Sequence, residues 1–153
     1  MPELDATAVG EVERNHTALL RLCDLLEGVA DRLPGNLDRG ECLQLARSLS
    51  SIVTRIHGHE EAVLFPALMR WRDLLPEMHQ TIDRLRIEHQ VDECYAEDVE
   101  DMLRSYGESR PNVGPEAAGF MLRGFFEGMR RHVAFERTLL APLLVAPPPG
   151  QVN

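Results

Sequence analysis

The chain has 153 residues, 44% of them hydrophobic and 27% charged, with a formal net charge of −9. That length suits one domain that buries its own core without disulfide staples. No apolar run approaches the roughly 20 residues a membrane helix needs, and the acidic balance argues against a phosphate-tracking, nucleic-acid-binding surface. The N-terminus, MPELDATAVGEVERNH, has neither a basic flank nor an apolar segment of the export type, so the expected location is the cytoplasm. All sixteen basic residues are arginine, a bias that fits GC-rich coding and carries no functional reading. Cys23, Cys42 and Cys94 are odd in number and far apart, which predicts reduced, buried thiols with a structural role.

Apolar residues recur at helical spacing in four long segments. The first runs from about Leu4 to Leu33 with Val9, Val12, Leu19, Leu20, Cys23 and Leu26 on one face, and Pro34-Gly35-Asn36 stops it. Asp38 followed three positions on by Glu41 has the form of a capping box and opens the second helix, which continues through Leu45, Leu49, Ile52, Val53 and Ile56 until Pro66 kinks or ends it. Pro76 can occupy the first turn of a third helix carrying Ile82, Leu85, Val91, Val99 and Leu103, closed by GESRPNVGP. The fourth starts near Pro115 and carries Phe120, Met121, Phe125, Met129, Val133, Leu139 and Leu143, and Phe120, Phe125, Phe126 and Phe135 read as core. No strand alternation competes with these patterns, and the short connections predict an all-α, up-down-up-down antiparallel four-helix bundle over residues 1–145, followed by a flexible Pro-rich tail at 146–153.

Four of the six histidines fall at one depth in that bundle. His16 lies about 17 residues before the first hairpin turn and His57 about 19 after it, while His89 and His132 lie about 18 and 17 residues from the second, each roughly 26 Å from its loop at helical rise. His16 and His57 are 41 residues apart and His89 and His132 are 43 apart, so the second hairpin approximately repeats the first. Glu61 follows His57 by four residues and Glu136 follows His132 by four, about one turn, so each pair projects from a single face. On this reading His57 and Glu61 point inward, His59 and Glu60 point to solvent, and the His79/Asp83 pair, about ten residues off the layer, belongs to the surface. Tyr95 and Tyr106 are within the range of residues that could approach the site.

Burying several imidazoles and carboxylates is costly unless each is paired or bound to a metal. A single His-x-x-x-Glu on a helix is usually a surface pair, but four histidines at matched depth with two such pairs point to a pair of metal ions. The donor set suits iron, manganese or zinc rather than calcium or magnesium, with two carboxylates able to bridge the ions.

The ordered pattern of His16, His57 with Glu61, His89, and His132 with Glu136, together with the segment EEAVLFPAL, resembles the hemerythrin-like (HHE cation-binding) family over about residues 10 to 145. The resemblance implies a non-heme centre of two iron ions with oxo- or hydroxo-type bridging or terminal ligands. The oxygen-carrying members place two histidines four apart on the third helix, where this chain has His89 and Glu93, and on the fourth follow histidine five positions later with aspartate, where this chain has Arg137. The pattern is closer to the bacterial four-histidine type. Glu93 is then a third carboxylate ligand, an acceptor behind the ligands, or an outward-facing charge. Three functions are compatible with this ligand set: a catalase-like protein reacting with hydrogen peroxide, a module that binds or senses O2, NO or iron without turnover, and a metal-free helical scaffold. The absence of His-Glu-x-x-His argues against hydrolytic zinc chemistry.

Overall fold

A computed structural model of the chain describes residues 4–70 and 76–145, with side chains up to residue 142. Helix α1 spans Ala6–Arg32, α2 Arg39–His59, α3 Phe65–Met69, α4 Met78–Gly107 and α5 Pro115–Val145. The four long helices form the expected bundle, and no strand occurs among the described residues. Asp5 caps α1 by accepting from the Ala8 N–H at 2.8 Å. Asp38 caps α2 by accepting from the Glu41 N–H at 3.1 Å, while the Glu41 side chain, instead of closing the capping box, pairs with Arg32 across the hairpin. Pro76 lies in a turn before α4, two residues ahead of the helix start and not within its first turn. The proposed tail at 146–153 lies outside the described residues.

Pro66 does not end the second helical segment. Between α2 and α3 the backbone widens over Glu60–Leu64 into a π turn, with the Phe65 N–H donating to the Glu60 carbonyl, and the chain continues as helix through Met69. Pro66 has no N–H to offer an α-helical ladder and its ring crowds the carbonyl four residues back, so a wider turn just before it relieves both problems. The extra residue also resets the helix phase by about 100°. Phe65, which a straight helix would turn well away from the core, is thereby buried together with Leu64 and Leu68.

Each long helix packs most extensively on a partner from the other hairpin: α2 on α4, and α1 on α5. Polar links follow those pairs. Arg39 donates to the Gly107 carbonyl at 3.1 Å between α2 and α4, and Arg123–Asp31 and Arg130–Asp24, each at 2.8 Å, join α5 to α1. At the α2–α4 contact a β-carbon on Gly107 would come within 2.5 Å of Leu43 Cγ, so glycine there permits the close approach.

The core is divided. The larger cluster, including Leu19, Leu26, Leu49, Val53, Leu103, Phe125 and Phe126, fills the end of the bundle nearer the hairpin loops. A smaller one, with Val12, Leu64, Phe65, Leu68, Met78, Ile82, Leu85 and Leu140, closes the other end. Three apolar assignments fail: Phe120 is 72% exposed, Val91 is 59% exposed, and Cys94 is exposed whereas Cys23 and Cys42 are buried. Both apolar side chains sit off the buried stripes of their helices, which run through Ala118, Leu122, Phe125 and Met129 on α5 and through Leu85, His89, Ala96 and Val99 on α4. Exposure of single apolar residues costs little in a helix anchored elsewhere.

Candidate metal centre

Between the two apolar clusters lies a polar layer. His16 on α1, His57 at the end of α2, His89 on α4, and His132 and Glu136 on α5 are all buried, as is Glu60 in the π turn, at 1% exposure. His132 Nε2 and Glu136 Oε1 are 2.9 Å apart, one helical turn apart on α5, and His16 Nε2 meets Glu136 Oε2 at 2.8 Å. Glu60 reaches across the layer, with Oε2 at 2.8 Å from His89 Nε2 and 3.5 Å from His132 Nε2, and Oε1 at 3.8 Å from His16 Nε2. The rings of His57 and His89 stack at 3.8 Å, nearly parallel, with His132 tilted against both.

The structure brings His16, His57, His89, His132 and Glu136 together but turns Glu61 away. Glu61, expected inward, is 43% exposed at its side chain, and Glu60, expected in solvent, takes the interior position. The reason is the phase of α2. Its buried stripe steps through Cys42, Leu45, Leu49, Val53 and Ile56, and the next position in that 3–4 rhythm is Glu60. His57 lies at one edge of the stripe and Glu61, four residues further, falls roughly 90° from its centre. The rhythm was available in the sequence; the His-x-x-x-Glu spacing concealed it.

Residues outside the layer also find their places. His79 is exposed, 3.9 Å from Asp83, as expected of a surface pair. His59 is partly covered and bridges α2 to α1, with Nε2 2.9 Å from Glu11 and Nδ1 3.3 Å from the Asn15 amide. Tyr95 and Tyr106 spend their hydroxyls on the carbonyls of Met121 and Val113 and pack against the larger apolar cluster. A cleft of about 350 Å³ between α4 and α5, lined by Arg84, Glu88, Asp92, Gly128, Arg131 and Phe135, opens to the outer edge of His132. Asp92, half-buried there, went unnoticed in the sequence; burial raises its carboxyl above the usual range.

The electrostatics of the layer are those of a site built for positive charge. Burial, reinforced by the neighbouring His89, pushes the His57 imidazole down to about 3, so it is neutral. Burial also opposes charge on His132, but the Glu136 and Glu60 carboxylates, 2.9 and 3.5 Å from Nε2, outweigh it and raise the ring to about 11. Burial would raise Glu136 in turn; His132 beside Oε1 and the hydrogen bond to His16 at Oε2 outweigh that and hold the carboxyl down to about 2. Nε2 of His57, His89 and His132, both Glu60 oxygens and Glu136 Oε1 are buried with no hydrogen bond among the described residues. Buried polar atoms left this way are expensive, and a cation between them removes the expense.

Donor atoms converge in two groups whose members lie within 4.8 Å of one another: His57, Glu60, His89 and His132 in one, and His16, Glu60 and Glu136 in the other. The first is rich in nitrogen and the second in oxygen, with Glu60 common to both. Such mixed imidazole and carboxylate sets fit a transition metal such as iron, and the unsatisfied atoms leave room for one. No helix among the described residues is long and apolar enough to cross a membrane. No curated protein and no solved structure matches the chain. The model of the hemerythrin HHE cation-binding domain matches residues 7–144; with a buried cluster of histidine and glutamate at mid-bundle, the chain belongs to that family.

Proposed function

We propose that the chain is a dinuclear non-heme iron protein that reacts with small oxygen species, hydrogen peroxide foremost. The observation that carries this reading is the convergence of buried, unsatisfied donors into two groups that share Glu60. Three imidazoles and one carboxylate would hold one ion, and His16, Glu136 and the shared Glu60 the other. Bound iron would supply redox cycling and open coordination positions for a small oxygen ligand.

This chain's residues define the conditions for that chemistry. Glu60 and Glu136 keep two negative charges in the layer, which favours the higher oxidation state of a bound metal. Ile56 and Phe65, both fully buried, present apolar surface beside the layer, with Phe65 stacked 5.3 Å from the His89 ring. The His132–Glu136 pair can hold a proton at Nε2 whenever the site is metal-free.

Elemental analysis of protein purified without chelators should find about two ions per chain, predominantly iron, and stopped-flow measurement should show peroxide decay above that of free iron. One zinc per chain, or no metal, would overturn the di-iron reading. Reversible oxygen or nitric oxide binding with no peroxide turnover would reject the enzyme in favour of a binding or sensing module.

A further inference from the structure

Outside the layer, on the solvent side of the histidines, stand carboxylates with no place in either donor group. Glu93 on α4 lies with Oε1 3.3 Å from His57 Nδ1 on α2, and Glu61, in the π turn, lies with Oε1 3.0 Å from His89 Nδ1 on α4. Both glutamates are partly exposed, 35% and 43% at the side chain, while both imidazoles are sealed at 1%. Glu88 makes a longer approach of the same kind, 3.5 Å from His132 Nδ1, but divides its carboxylate with Arg84.

The pairing is crossed. His57 and Glu61 are four residues apart, and so are His89 and Glu93, yet neither histidine bonds to the glutamate of its own segment. Each bonds to the other's. The two stacked rings are therefore held from outside by two carboxylates that swap helices, and the swap ties together the most extensively packed pair in the bundle, α2 and α4.

Chemistry assigns the direction of these bonds. An ionised carboxylate can only accept, so the partner Nδ1 must carry the hydrogen. In a neutral imidazole the other nitrogen then has the free lone pair, and Nε2 is the atom that faces the interior in both rings. At His89 that Nε2 sits 2.8 Å from Glu60 Oε2, so the ring nitrogen and the shared carboxylate converge on one point of the layer.

We propose that Glu61 and Glu93 are positioning residues that fix the Nδ1–H tautomer and the ring orientation of His89 and His57 across the α2–α4 contact, presenting both Nε2 lone pairs to the metal layer. The inference rests on the metal reading above for its purpose. It reassigns Glu61 from ligand to brace, and it selects one of the three roles open to Glu93.

Two measurements test it. In metal-free protein carrying ¹⁵N-labelled histidine, His57 should show the Nδ1–H tautomer; Glu93→Leu should shift it toward Nε2–H, and Glu93→Gln, which keeps an acceptor oxygen without the charge, should restore the native form. In iron(II)-loaded protein challenged with a chelator, Glu61→Leu and Glu93→Leu should each release metal about tenfold faster or more, with saturating stoichiometry unchanged and the glutamine variants intermediate. An unaltered His57 tautomer in Glu93→Leu would overturn the proposal even if the protein binds two irons. A tautomer shift in a chain that takes up no metal would support the brace and reject the metal reading instead.

Discussion

Replacing Glu60 by alanine separates the interior glutamate from its exposed neighbour more sharply than any other single change. In the metal-free state His132 holds a proton up to about 11, balanced by Glu136 and Glu60. Glu60 also lies 2.8 Å from His89 and is 1% exposed. Removing it leaves a buried imidazolium with one carboxylate in place of two. Breaking a buried pair of this kind costs about 3–5 kcal/mol, and at about 2–4 °C per kcal/mol for a chain of this size the melting temperature should fall by roughly 6–20 °C at pH 7. Both donor groups lose their common member, so iron per chain should drop from about two to below one. Glu61→Ala removes a half-exposed polar contact with His89 Nδ1 worth under about 1 kcal/mol; it should shift melting by no more than about 4 °C and leave saturating stoichiometry intact. Differential scanning calorimetry of metal-free protein and elemental analysis of loaded protein on both variants decide the matter. If Glu61→Ala loses the metal and Glu60→Ala keeps it, the phase argument for α2 is wrong.

Metal uptake should strengthen with pH, because His132 is protonated until about 11 and a metal must displace that proton; competition titrations should show about a tenfold gain in affinity per pH unit for each proton displaced between pH 6.5 and 9, and a flat profile would refute it. Stability of the metal-free cluster should peak near pH 6.5: His57, depressed to about 3, loses stability as pH falls below its ordinary 6.5, whereas the raised His132 loses it as pH climbs toward about 11, and the depressed Glu136 contributes its share throughout, failing only below 4.5 toward about 2. A melting-temperature series across pH 4 to 10 checks the position of that maximum. Phe126→Ala should cost about 3–5 kcal/mol in chemical unfolding while Phe120→Ser, at a 72% exposed position, should stay within about 0.5 kcal/mol; equal losses would contradict the observed facing of α5.

The helices and the depth of the histidines were legible in the sequence because both depend on local, periodic quantities. Apolar residues three and four apart, Asp38 as a cap and the proline-rich breaks mark the segments, and a constant rise per residue turns equal distances from the loops into one layer holding His16, His57, His89 and His132. Glu136 followed because its spacing from His132 coincides with the buried stripe of its helix. What spacing could not decide is rotation about the helix axis. A four-residue interval places Glu61 near His57 on the cylinder, and that spacing masked the apolar rhythm of α2 that leads to Glu60; the π turn that resets the phase for Phe65, by contrast, shows only in the folded chain. The crossing of His57 to Glu93 and His89 to Glu61 is likewise invisible along the chain. Each motif looks complete within its own helix, and only the close contact of α2 with α4 brings the other segment's carboxylate within hydrogen-bonding distance of the ring.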